Sequence, residues 1–121
     1  RQKSEVYHQW VKLHGLNGEI VRTKAVVDGG AMRNMLCTRK WNEWGHRLGE
    51  RETSAATMKV ADNHHISSAG RWTGKTEVSG IEVEAAFEMF NSNGAFEVIL
   101  GKPWLRAVKA IHHFEDDSID I

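Results

Sequence analysis

Ala25-Val26-Val27-Asp28-Gly29-Gly30-Ala31 is the stretch on which the reading of this chain turns. Three apolar residues, two of them β-branched, favour an extended strand. The strand runs straight into an acid and two glycines. A carboxylate is thereby placed at a strand end. Glycines beside it let a ligand or a second backbone approach closely. Taken alone, the same pattern also describes an ordinary turn after a strand.

A second segment, Val98-Ile99-Leu100-Gly101-Lys102-Pro103-Trp104-Leu105, repeats the theme without the acid. It is an apolar strand, a glycine, then a helix opened by proline, whose missing N–H costs nothing in a first turn. About seventy residues apart, the two segments together resemble the retropepsin-like aspartic proteases. That family runs an apolar strand into Asp-Thr/Ser-Gly-Ala, then a flap hairpin, then a second apolar strand ending in Gly, then a short helix. The resemblance reaches the gypsy-type branch of LTR retroelements. Its Ile-Leu-Gly-x-Pro-Trp-Leu string stands here as Ile99–Leu105, and Ala61-Asp62-Asn63 is similar to its flap turn. Phe87–Phe90 followed by Asn91–Gly94 resembles copies found in mushroom-forming fungi. The match covers roughly residues 5–121.

The resemblance implies an all-β, closed retropepsin-like barrel with one or two short helices, over 1–121 as one domain. It implies an aspartic endopeptidase acting on a peptide or polyprotein, without metal or organic cofactor, at mildly acidic pH. Carboxylate peptide hydrolysis needs two Asp sharing one proton: one activates water, the other protonates the carbonyl oxygen. Like charges about 3 Å apart do not both ionise easily, so the pair titrates in two split steps. The chain has one such segment and supplies half a site. The implied active form is a C2 homodimer with Asp28 of each copy at the axis, joined through the Asp28 loops and the chain termini. Gly30 and Ala31 would meet the substrate backbone. Asp62, Asn63 and His64 would cover it from the flap, Thr57–Ser68. Gly29, Ile99, Leu100 and Gly101 complete the motif as structural positions.

Position 29 departs from the family, which carries Thr or Ser there. That hydroxyl braces the two loops across the dimer, at about 1 kcal/mol per hydrogen bond. Gly29 lacks it. The alternative function is therefore a catalytically inactive, domesticated domain that binds a protein or peptide.

Composition narrows the remaining classes. The chain has 121 residues, with 16 Lys+Arg against 16 Asp+Glu and a formal net charge of zero. A neutral chain is a poor general binder of phosphate backbones, so no nucleic-acid partner is expected. Its mean hydropathy of −0.48 and the lack of a long apolar run argue against a membrane partner. Cys37 is the lone cysteine, so no internal disulfide forms. With no signal-like apolar stretch after Arg1, an intracellular, cytoplasmic setting is expected. A start without Met suggests a piece of a longer protein. The charge is uneven: residues 1–76 carry 13 Lys+Arg and 7 Asp+Glu, and residues 77–121 carry 3 and 9. Basic Arg1 and Lys3 would thus attract acidic Asp116, Asp117 and Asp120 across a dimer, an effect that fades with salt.

The periodicities predict strands over Ser4–Leu13 and Glu19–Val27 around an Asn17-Gly18 turn. Thr38–Leu48 reads as a helix with Thr38 as N-cap and Gly49 as its stop. Thr57–Ala61 and Ile66–Trp72 flank a polar turn. Lys75–Val78 and Ile81–Phe90 form another hairpin, with Ile81, Val83, Ala85 and Phe87 facing inward and Glu82, Glu84 and Glu88 toward solvent. Phe96–Leu100 is a short strand before a helix over Pro103–Val108. His64-His65 and His112-His113 sit on opposite faces of any strand and make no chelate. Cys37 and the five Trp are expected in the core or a dimer contact. An exposed patch of Trp41 and Trp44 is the other possibility.

Overall fold

The computed structural model describes residues 6–115, with side chains described for 8–60 and 62–109. Strands β1 (Val6–His14) and β2 (Ile20–Asp28) form an antiparallel hairpin. Val6 lies opposite Asp28 and His14 opposite Ile20. The turn between them uses the left-handed backbone of Gly18. Along β2, Val21, Thr23, Ala25 and Val27 are buried, while Arg22 and Lys24 face outward. A period of two with one apolar face is what a barrel wall requires.

Next come β3 (Asn34–Cys37), α1 (Thr38–Trp44) and a 3₁₀ turn over Gly45–Arg47. Two short strands, β4 (Thr57–Lys59) and β5 (His65–Ser67), pair only with each other. The long hairpin of β6 (Arg71–Val78) and β7 (Ile81–Phe90) follows, then β8 (Val98–Leu100) and α2 (Lys102–Glu115). Six strands close into a barrel in the order β1-β2-β8-β3-β7-β6. Closure is made by β1 on β6, from Lys12 opposite Glu77 to His14 opposite Lys75. A closed barrel leaves few strand edges free to pair with other chains. Val11, Leu13, Leu36, Phe87, Met89, Val98 and Leu100 fill its interior. Trp104 and Val108, one turn apart on α2, pack onto the same core.

The expected all-β class and closed barrel are found, with two helices. Several details differ. Thr38 is the first residue of α1 rather than its cap; Cys37 holds the cap position, with no side-chain cap bond. Trp72 belongs to β6, where it packs against the Phe87 ring. Trp41 is buried and Trp44 packs on the core, so the two make no exposed patch. The exposed tryptophan is Trp10, at 59 %. Helix α2 runs to Glu115, well past Val108, because no glycine or proline follows Pro103 to stop it. Glu88 is buried rather than solvated, because Arg71 and Ser54 meet its carboxylate. The termini invoked for cross-dimer attraction (Arg1, Lys3, Asp116, Asp117 and Asp120) lie outside the described residues.

Candidate active site

β8 enters the sheet between β2 and β3, and this insertion builds the candidate site. It runs parallel to β2, with Ala25, Val26 and Val27 beside Val98, Ile99 and Leu100. On its other side it is antiparallel to β3, with Met35 opposite Ile99. The loop linking β2 to β3 must therefore arch over the C-terminal end of β8. Asp28 and Gly101 are the next residues on the two parallel strands, so they end side by side.

Asp28 is half-buried at the end of β2. The Gly30 N–H donates to its Oδ1 (2.9 Å), and the Ala31 N–H donates to its backbone carbonyl (3.1 Å). The chain thus turns tightly around the carboxylate, which is oriented by its own loop. Neither Gly29 nor Gly30 has a left-handed backbone. A Cβ on Gly30 would come within 3.3 Å of the Asp28 carboxylate oxygen, so the glycine there keeps the acid uncrowded.

The other side of the arch is held from β8 and α2. The Lys102 N–H donates to the Ala31 carbonyl (2.9 Å). The Gly101 N–H donates to Asn34 Oδ1 (2.8 Å), and Asn34 Nδ2 donates to the Ala86 carbonyl (3.1 Å). Asn34 is buried, so each of these bonds satisfies a group that water does not reach. A Cβ at Gly101 would lie 2.6 Å from the Arg33 carbonyl and 2.7 Å from that of Ala31. No other residue fits there, which is why the apolar strand must end in glycine.

The flap residues stand on a separate element. Asp62 and Asn63 adopt left-handed backbone angles at the tip of the β4–β5 hairpin, and Asp62, Asn63 and His64 are all exposed. The tip is closed by the Val60 N–H donating to the His64 carbonyl (2.7 Å). Arg33 links loop and hairpin, its guanidinium donating to the Thr57 carbonyl (3.2 Å). Among the described residues, no hydrogen bond joins Asp62, Asn63 or His64 to the Asp28 loop. The structure thus brings together Asp28, Gly29, Gly30, Ala31, Ile99, Leu100 and Gly101, and leaves the tip residues apart. Met32, next in the loop, is 71 % exposed, an apolar side chain left on the surface beside the acid.

Asn34 is the functional neighbour that sequence reasoning missed. An Asn opening an otherwise apolar run, Asn34-Met35-Leu36-Cys37, is the one signal of a buried polar tie. A concavity of about 490 Å³, lined by His14, Leu48, Trp72 and Glu82 among others, lies at the end of the β1–β2 hairpin remote from Asp28. There His14, Glu77 and Glu82 place possible ligand atoms within 4.8 Å of one another. His14 is paired with Glu77 (3.2 Å) and Glu82 with Lys75 (3.7 Å), so the charges there already have partners.

No protein-family model matches the chain, and no curated protein matches it by sequence. Solved structures do. The retroviral protease-like domain of Ddi1 from Leishmania major superposes with a TM-score of 0.54 at 20 % identity, over 83 % of this chain and 74 % of that one. A retropepsin-like aspartic protease from Rickettsia conorii gives 0.50 at 15 % identity, over 87 % and 83 %. The fold is therefore that of the retropepsin-like aspartic proteases.

Proposed function

We propose that the chain is an aspartic endopeptidase of retropepsin type, with residues 1–121 forming one domain and half of a homodimeric enzyme. The observation that carries this reading is the Asp28 carboxylate. It stands at a strand end, oriented by the Gly30 N–H, in a loop clamped by Gly101 and Asn34. Two such loops facing across a two-fold axis give the shared-proton pair that the chemistry needs. One Asp28 carboxylate takes a proton from water as the water oxygen attacks the scissile carbonyl carbon. The other donates its proton to the carbonyl oxygen. Collapse of the tetrahedral adduct breaks the C–N bond, and the amine leaves with a proton from the pair. Gly30 and Ala31 line the approach of substrate backbone. Asp62, Asn63 and His64 close over it. The exposed Met32 beside Asp28 supplies apolar surface for the second copy.

We further assign the chain to the gypsy-type LTR retroelement branch, on the Ile99–Leu105 string and the Ala61-Asp62-Asn63 flap turn, with Asp28-Gly29-Gly30-Ala31 as its variant of the acid motif. Its substrate is then a peptide or its own polyprotein, in the cytoplasm, with the termini adding to the dimer contact. The lone buried thiol of Cys37 suits a reducing compartment. No helix among the described residues is long and apolar enough to cross a membrane.

The test is a peptide-library digest across pH, with a pepstatin-type inhibitor and Asp28→Asn as controls. Cleavage that is lost in both controls supports the dyad. Cleavage that persists in Asp28→Asn overturns it. No cleavage by a chain that light scattering shows to be dimeric selects the inactive binding module, for which the missing Gly29 hydroxyl is the supporting feature.

A further inference from the structure

Glu88 is a buried carboxylate that the proposed chemistry does not use. It lies on β7, opposite Arg71 of β6 and beside Met35 of β3. Only 7 % of it is exposed. Burying a charge costs several kcal/mol unless it is paired and hydrogen-bonded, so its partners tell what it is for.

Those partners come from both feet of the β4–β5 hairpin. Before β4, the Ser54 hydroxyl donates to Oε1 (2.6 Å). The same Ser54 oxygen accepts from the Ala56 N–H (3.2 Å), which fixes the turn into β4. After β5, Ser68 orders the returning foot within its own turn. Ser68 accepts from the Gly70 N–H and donates to the Gly70 carbonyl, fixing the turn out of β5. At the junction with the barrel, Arg71 Nε donates to Oε2 (2.9 Å). The two feet also meet each other, through the Ser68 N–H and the Ala56 carbonyl (2.9 Å).

β4 and β5 pair with each other and with no barrel strand. The angle at which the hairpin leaves the barrel is therefore set at its feet. We infer that Glu88 is a positioning residue for the flap: one buried carboxylate clasps both feet and so aims the hairpin over the Asp28 loop. This rests on the proposed protease reading for its use, though the clasp itself does not need catalysis to be measured. Loosening it should leave the chemistry of the dyad alone and impair closure over substrate, raising KM more than it lowers kcat.

The experiment is hydrogen exchange by mass spectrometry on the full chain, comparing wild type with Glu88→Gln and with Ser54→Ala. Ser54→Ala keeps the Arg71–Glu88 pair and guards against Glu88→Gln failing to fold. Losing charge-assisted bonds at the feet should speed exchange of the 56–68 segment by about tenfold. Amides of β6 and β7 should stay within about twofold. Equal exchange in wild type and variants overturns the clasp. A uniform rise over barrel and hairpin also overturns it, since Glu88 would then be general glue. An inactive wild type that still shows the selective rise refutes the protease reading and leaves the clasp standing. In an active enzyme, a drop in kcat with KM unchanged counts against it.

Discussion

The loop after β2 and the hairpin of β4 and β5 are tied to the barrel in opposite ways. In the loop, successive backbone groups are held: Gly30 and Ala31 by Asp28, Ala31 again by Lys102, and Gly101 behind them by Asn34. In the hairpin, the tip bonds to itself through Val60 and His64, and attachment is concentrated at the base, at Ser54, Thr57 and Arg71. The first arrangement holds the acid's loop from both sides. The second leaves the tip without a hydrogen bond to the Asp28 loop among the described residues. Catalysis by a carboxylate pair asks for both, alignment at the acid and access above it.

The largest expected effect breaks the fixed half at its chemistry. Asp28→Asn should lower peptide cleavage by about 10³-fold, with an unchanged circular dichroism spectrum and melting temperature. Next come changes to the clamp. Gly101→Ala forces a methyl against two carbonyls and should cost about 1–3 kcal/mol in urea unfolding. Asn34→Ala leaves the Gly101 N–H and the Ala86 carbonyl unpaired in the interior, and should cost a similar ~1–3 kcal/mol. Asn63→Gly at the flap tip, where the backbone is already left-handed, should stay within about 0.5 kcal/mol of wild type. If clamp and tip substitutions cost the same, the contrast between the two regions is wrong.

Gly29→Thr sharpens the comparison from the other side. The backbone at Gly29 is not left-handed, so a threonine there meets no left-handed backbone penalty. In a homodimer it restores about 1 kcal/mol per hydroxyl bond, or roughly thirtyfold in Kd for the pair, readable by sedimentation. The smallest effect concerns pH. Burial pushes the Glu88 carboxyl up, but hydrogen bonds from Ser54 and Arg71 and the Arg71 charge outweigh it and hold the group below the usual carboxylate range. Arg71 in turn feels Glu52. A lowered folded-state value means that Glu88 contributes stability above the unfolded glutamate range, near ~4.3, and loses it as pH falls through the lowered value. Melting curves should therefore show Glu88→Gln converging on wild type at the acid end and falling below it toward neutrality.

Much of the fold and of the candidate site is legible in the sequence. Asp28-Gly29-Gly30, the terminal glycine of the second apolar strand and the Asn17-Gly18 and Ser79-Gly80 turns are local signals, each decided by a few neighbouring residues. What stays hidden depends on partners far along the chain. Glu88 reads as one more acid on an alternating strand, and only Ser54, 34 residues away, shows that it is buried. Asn34 opens a short apolar run, and its role comes from Gly101 and Ala86, 67 and 52 residues away. The length of α2 escapes for another reason: a helix is bounded by its stop signals, and this one meets none after Pro103.

The parallel pairing of β2 with β8 also governs when the site comes into being. Ala25, Val26 and Val27 are matched to Val98, Ile99 and Leu100, so the acid is placed by a contact that spans most of the chain. During synthesis from the N-terminus, Asp28 is made before Gly101 and remains unpositioned until Gly101 has left the ribosome. Contacts this distant in sequence form slowly. A nascent chain of this fold therefore holds no positioned Asp28 until the barrel has closed.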